Sequence, residues 1–250
     1  MLMVMDIGNT RTKWALANVN GSLQETQVCL NADVAKSELK RTLKIVKRVL
    51  VANVAGAQMA ETITALAPQS LQFDFVSAQA QACGVLNRYQ QSQTLGADRW
   101  AALLAAWAMY RQPTIVVSAG TAVTIDALAR ESGTKNGVFI GGTIMPGLRL
   151  MHEALDNSTA QLKAARDGAA MLFPTTTQDA IESGCINAIV GAILVMLQHL
   201  EKHSAYLPKL VICGGDANKV AEALKPHIKR VIIVENLVLQ GLVLLGEERV

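Results

Sequence analysis

The feature that most constrains this 250-residue chain is a pattern that occurs twice. Residues 1–17 read as an apolar run, then Asp6, Gly8, Asn9 and Thr10, then a second run over 11–16. Residues 114–128 repeat it: an apolar run, then Ser118, Gly120 and Thr121, then a second run over 122–128. Each is a short strand, methionine-rich or β-branched, that stops abruptly at small residues and turns back, as a buried strand does on entering a tight hairpin. Two related halves are the economical explanation.

The rest of the chain alternates in the same sense. The patterning predicts a helix over 31–47, a strand over 48–54, a helix over 57–66 and a strand near 72–76. It then predicts a helix over 178–199, a strand over 209–213, a helix over 217–224, a strand over 230–234 and a closing helix over 237–246. Such alternation builds α/β units with mixed sheets. An alanine-rich helix over 101–110, ended by Pro113, lies between them and places the boundary near Gln112, giving domains 1–112 and 113–250. No long Gly/Ser linker separates the halves, so they are expected to join closely around a ligand-binding cleft.

Composition sharpens this reading. Hydrophobic residues make up 51% of the chain but aromatics only 4%, so Ala, Val, Ile and Leu must fill the core, as under buried parallel strands. A net charge of +3 is too near balance to announce a nucleic-acid binder. The basic stripe Lys36, Lys40, Arg41, Lys44, Lys47 and Arg48, with Leu39, Leu43 and Val46 opposite, reads more readily as the solvated face of a helix than as a nucleic-acid contact. The four cysteines lack metal-ligand spacing and the four histidines form no HExxH pattern. The apolar start is too short for a signal-peptide core, and the longest apolar segment, 188–197, is about half a membrane span. A cytoplasmic protein with no membrane partner is the expectation.

The first loop offers phosphate-binding chemistry. Gly8 lets a ligand approach the backbone, Asn9 and Thr10 supply donors, and Arg11 and Lys13 add positive charge, while the Asp6 carboxylate suits magnesium. Taken alone, this is equally an ordinary Asp/Asn/Gly hairpin. The second loop adds donors at the equivalent place, with Thr121 and Thr124 as hydroxyls and Asp126 as a second acid for the metal. Neither a GxxxxGK[ST] loop nor a GxGxxG fingerprint occurs, which argues against Walker-type hydrolysis and nicotinamide chemistry. Asp98 and Arg99, just ahead of the 101–110 helix, fit either an acidic cap with a surface ion pair or a proton acceptor beside an anion-binding guanidinium. The glycine-rich stretch at 141–147 reads as a cleft wall or as a plain connection, 211–217 as backbone brought close to an adenine or ribose or as a tight strand–helix turn, and 174–179 caps the helix that follows it.

With these loops in order, the chain resembles the type III pantothenate kinases, the family also called Bvg accessory factor-like, in the acetate and sugar kinase, heat-shock ATPase and actin superfamily. The resemblance rests on DIGNTRTKWAL at 6–16, GADRWAAL at 96–103, AGTAVTIDAL at 119–128, GGTIMPGL at 141–148 and TTTQDAIESG at 175–184. It implies two duplicated ribonuclease H-like (actin-like ATPase) α/β domains with a central interdomain cleft. The implied reaction is ATP-dependent phosphorylation of pantothenate to 4′-phosphopantothenate, the first step of coenzyme A synthesis. Asp6, Ile7, Gly8, Asn9, Thr10, Arg11, Thr12, Lys13 and Thr121 would then contact ATP, with Mg2+ at Asp6. Gly96, Ala97, Asp98 and Arg99 would bind pantothenate with Asp98 as general base, and Tyr89 and Thr177 would be further substrate contacts. The resemblance also implies a homodimer, with 148–155 and the helix through Val190 between subunits. Many members carry an aspartate for an activating K+ or NH4+ where this chain has Ser118, so monovalent-cation dependence is expected to be weak or absent. Two alternatives are a non-catalytic regulator using the basic stripe and a superfamily kinase for another small hydroxylated substrate.

Overall fold

The computed structural model describes residues 1–158, 168–204 and 206–248, and the chain within it divides into two units. Unit 1 comprises Met1–Arg111, Arg130–Ile140 and Asn236–Val250, and unit 2 comprises Gln112–Ala129 and Gly141–Glu235. The first passage between units falls at Arg111, beside the boundary expected near Gln112. The chain then returns to unit 1 twice, which two contiguous stretches, 1–112 and 113–250, do not anticipate.

Unit 1 opens with the hairpin of β1 (Leu2–Ile7) and β2 (Arg11–Ala17), paired antiparallel with Asp6 opposite Lys13. β3 (Gln27–Leu30) follows, then a short 3-10 turn, α1 (Leu39–Leu43), β4 (Arg48–Asn53), α2 (Ala57–Thr64) and β5 (Gln72–Phe75). The sheet order is β3-β2-β1-β4-β5, with β4 parallel to both β1 and β5. Met3, Met5 and Ile7 bury one face of β1 with Val34, Leu39, Leu43 and Ile63. The single helix expected over 31–47 does not form. Ser37 is extended, donating its hydroxyl to the Val34 carbonyl and accepting the Leu39 N–H, so the segment splits into a 3-10 turn and α1. The basic stripe is therefore not one continuous helical face. Two short strands, β6 (Gln81–Ala82) and β7 (Val85–Asn87), lead to α3 (Ala97–Tyr110), which is buried almost throughout, including Trp100, Leu103, Leu104 and Trp107.

Unit 2 repeats the plan. β8 (Thr114–Ala119) and β9 (Ala122–Arg130) form the second hairpin, followed by β10 (Gly137–Pro146), whose first residues, in unit 1, pair with β7. Then come α4 (Leu148–Ser158), α5 (Thr177–His203), β11 (Lys209–Cys213), α6 (Ala217–Leu224) and β12 (Ile232–Ile233). Read from β10, the order β10-β9-β8-β11-β12 matches β3-β2-β1-β4-β5 strand for strand, with β11 parallel to β8 and β12. The duplication read from two hairpins thus extends to both sheets. Ile115, Val117, Val123 and Ile125 pack with Ile186, Ile189, Val190 and Ile193 of α5. α5 is long and apolar enough to cross a membrane by length and composition, more than the 188–197 segment suggested, and it lends these residues to the core of unit 2. α7 (Leu237–Glu248) returns to unit 1 and packs on α3 so closely that a methyl on Gly241 would overlap the Ala101 carbonyl.

Candidate active site

In unit 1 the turn after β1 is closed by the Gly8 N–H donating to the Arg11 carbonyl at 3.0 Å. Asn31, which the sequence reading passed over, fastens it. Its amide nitrogen donates to the Gly8 carbonyl at 2.8 Å, its Oδ1 accepts the Thr12 hydroxyl at 2.9 Å, and its backbone N–H donates to the Thr10 carbonyl at 3.0 Å. Thr12 and Ile7 are fully buried, so they hold the turn from behind. Asn9 and Arg11 are exposed, and Gly8, Thr10 and Lys13 are half-buried, leaving these as the groups that can face a ligand.

Two of the acids singled out in the sequence, Asp6 and Asp98, come together in this unit, whereas Asp126, the second acid expected for the metal, lies in unit 2. Asp98 lies in the first turn of α3, which starts at Ala97 and not at 101, so Gly96-Ala97-Asp98-Arg99 enters the helix instead of preceding it. An acid here complements the positive end of the helix dipole. Asp98 Oδ1 accepts the Arg99 N–H at 2.8 Å and lies 2.6 Å from where a Cβ on Gly96 would sit, so glycine at 96 leaves room for the carboxylate. Burial raises the Asp98 pKa, opposed by the Arg99 N–H and guanidinium. Asp6 is pushed up to about 7, first by burial and then by the negative charge of Asp98, with Lys13 pulling the other way. Two carboxylates are thus close enough to feel each other, one at a strand end and one at a helix start.

Tyr89 and Arg99 also meet. The buried guanidinium donates to the Tyr89 hydroxyl at 3.1 Å and lies 5.7 Å from the Tyr89 ring centre and 5.8 Å from that of Phe139, a cation held against two aromatic rings.

In unit 2 the second turn is held differently. The Gly147 N–H donates to the Thr121 carbonyl at 2.9 Å, and a methyl on Gly147 would overlap the Gly120 carbonyl oxygen. Gly214, at φ +102°, packs as tightly on the Ala119 carbonyl, which accepts the Asp216 N–H at 3.0 Å. Gly147 and the 214–216 turn therefore pack directly on residues 119–121. Thr124 is buried with its hydroxyl unpartnered among the described residues. Asp126 is buried in mid-β9, opposite Val116. Thr177 is the exposed first residue of α5, beside a groove of about 660 Å³ between α4 and α5 that Pro146, Met151, Leu155 and Ile181 also line. The helix cap itself is Thr176, whose Oγ1 accepts the Asp179 N–H. Val190 is buried in the core of unit 2, so the exposed face of α5 is carried by Gly184, Asn187, Ala188 and Val195 and not by Val190.

Magnesium takes one or two carboxylates together with phosphate oxygens and water. Asp6 offers one such carboxylate, and no group of three or more His, Cys, Asp or Glu suited to a metal occurs among the described residues.

A strand order repeated in two units, each with a glycine turn at the equivalent strand end, is the duplicated α/β plan of the actin-like fold. Among solved structures, the chain is similar to a Campylobacter jejuni protein assigned to the Baf family of transcriptional activators, with a TM-score of 0.62 at 20% identity, covering 99% of this chain and 100% of the other. It is similar also to the activator of 2-hydroxyisocaproyl-CoA dehydratase from Clostridium difficile with ADPNP bound, with a TM-score of 0.54 at 11% identity, covering 99% and 95%. Residues 2–199 match the family model described as type III pantothenate kinase. Type III pantothenate kinases of Methylobacillus flagellatus (38% identical, 96% of each chain covered) and Aromatoleum aromaticum (40% identical, covering 99% of this chain and 98% of the other) are similar along nearly the whole length. The chain belongs to the type III pantothenate kinase family.

Proposed function

We propose that Asp98 is the general base by which this kinase transfers the γ-phosphoryl group of ATP to pantothenate, forming 4′-phosphopantothenate in the first step of coenzyme A synthesis. The hydroxyl oxygen of pantothenate bonds to the γ-phosphorus as the bond from that phosphorus to the β,γ-bridging oxygen breaks. ADP leaves, and the hydroxyl proton passes to an Asp98 carboxylate oxygen. The observation that carries this reading is the Asp98 carboxylate, oriented by the Arg99 N–H, given room by Gly96 and set beside Asp6. Its raised pKa makes it a better proton acceptor than an exposed aspartate.

The remaining roles follow from exposure and charge. Asn9, Thr10, Arg11 and Lys13 are the groups of the first turn assigned to ATP phosphates, and Thr121 is the group of the second turn assigned to ATP. Asp6 would hold Mg2+, which when bound neutralises phosphate charge; Asp126, buried in mid-strand, is left out of that set. Arg99 and Tyr89 bind the polar end of pantothenate, and Thr177 contributes from the start of α5. Ser118 and Thr124 offer hydroxyls and no carboxylate, which supports a weak monovalent-cation requirement. We place the reaction in the cytoplasm and assign a homodimer joined through the exposed face of α5 and the α4–α5 groove, which light scattering tests.

The test is ADP release with Mg2+ and ATP, with and without pantothenate. Pantothenate-dependent turnover is expected, and Asp98→Asn should lower it at least about a hundredfold while nucleotide binding is kept. ADP release indifferent to pantothenate overturns the substrate; a fully active Asp98→Asn overturns the base.

A further inference from the structure

We infer that Glu182 is a positioning residue for the nucleotide, acting through its contacts with His152 and Lys219, which tie α4 and α6 to α5; this rests on the reading that the Thr121 turn holds ATP phosphates. Glu182 is only 2% exposed in the second turn of α5. Its carboxylate meets His152 Nε2 of α4 at 3.0 Å and Lys219 Nζ of α6 at 2.6 Å. A buried carboxylate pays a large desolvation cost, and a well-packed apolar side chain of the same volume often stabilises a fold as well, so stability alone is a weak reason for its presence.

What the pairs connect supplies a stronger one. α4 begins immediately after Gly147, whose N–H is bonded to the Thr121 carbonyl. α6 begins immediately after Asp216, whose N–H is bonded to the Ala119 carbonyl, with Gly214 packed on the same group. His152 lies five residues beyond Gly147, and Lys219 three beyond Asp216. His152 and Lys219 therefore each sit within about a turn and a half of the point where their helix grips residues 119–121. α5 packs through Ile186, Ile189 and Val190 on the core that includes β8 and β9, so Glu182 is anchored to the sheet that carries the turn. One carboxylate thus fixes the spacing of the two helices whose leading residues form the walls of the second turn. Glu182 itself belongs to the TTTQDAIESG stretch, in which the sequence singles out the helix cap and Thr177 but not the glutamate.

Glu182→Gln keeps the shape and removes the charge. Its KM for ATP should rise about tenfold, with kcat and the KM for pantothenate changed less than about twofold. Binding of a non-hydrolysable ATP analogue with Mg2+, measured by calorimetry, should weaken by the same factor. Lys219→Met, which alters only the half-exposed end of the network, should show a smaller loss of the same kind and serves as the test if Glu182→Gln does not fold. In the double variant the losses should not add, because both act through one pair. Unchanged ATP affinity in a folded variant overturns the proposal. So does an equal rise in both KM values with a lowered Tm, which is what a merely structural role predicts. Because analogue binding is read without turnover, failure of the pantothenate assay leaves this result separate; a wild-type protein that binds no analogue overturns the inference.

Discussion

The turn of the first hairpin is fastened by side chains, Asn31 above all, whereas the second is fastened by backbone set against backbone at Gly147 and Gly214. The strands around them are equivalent. In both units the last carbonyl of the hairpin's first strand, Ile7 or Ala119, accepts an N–H from the loop after the parallel partner strand, Val54 or Asp216. The segment between the hairpin strands is longer in the first, Gly8 to Thr10, than in the second, Gly120 and Thr121. A longer turn has more carbonyls to satisfy and recruits an amide side chain to do it. A shorter turn is reached by neighbouring chain directly, provided that no Cβ intervenes. The acid also differs, since Asp6 stands where the second strand has Ser118.

The largest effect should come from adding one methyl to the second turn. Gly147→Ala drives a Cβ into the Gly120 carbonyl and should cost about 3 kcal/mol or more in chemical denaturation. A variant of native stability would show that the turn is not held by close packing. Next is the acid of the first turn. Asp6 titrates near 7 when folded, above the ordinary 3.8, so the folded state binds the proton more tightly and stability from this group is lost as pH rises from about 4 through about 7. Ligand-free wild type should therefore lose Tm between pH 5 and 8 relative to Asp6→Asn. Magnesium prefers the ionised form, so Mg–ATP affinity should climb about tenfold from pH 6 to 8 in wild type and stay flat in Asp6→Asn. A flat wild-type profile would detach Asp6 from the metal.

Asn31→Ala should act more mildly, removing two side-chain hydrogen bonds worth about 1 kcal/mol each. A several-fold rise in the KM for ATP is expected, and Asn31→Asp should recover part of it because its carboxylate can still accept from Thr12. If both variants behave as wild type, the first turn needs no clamp. The smallest effect concerns Ser118: exchanging K+ for Na+ should change turnover by less than about twofold, since hydroxyls hold a monovalent cation weakly. A large K+ requirement would mean that the two turns share an ionic element despite Ser118.

These differences explain what was legible from residues alone. The hairpins were visible because an apolar run ending at glycine is a local signal, and β11 and α6 fall where 209–213 and 217–224 predict them. Asn31 was invisible because its partners lie 19 and 23 residues away, and no periodicity encodes such a bond. Its neighbourhood instead reads as a helix start, which Ser37 then interrupts. The start of α3 was placed four residues late because Gly96 and Asp98 resemble a loop, while the burial that makes Ala97 helical comes from tertiary packing. Glu182 was read only as part of a motif string, since a carboxylate set between His152 and Lys219 of two other helices is a three-dimensional fact.

The return of α7 to unit 1 has a consequence for synthesis. Its seat on α3 is complete in the chain by residue 111, but the helix that fills it begins at residue 237. At ribosomal rates of roughly 5–20 residues per second, the face around Ala101 waits on the order of ten seconds for its partner. During that interval the apolar surface of α3 is bare, and unit 2, whose residues all emerge by 235, is complete before the unit that began first. The nascent protein thus depends on its last helix to close its oldest core, and chaperone capture should concentrate on chains halted between these points.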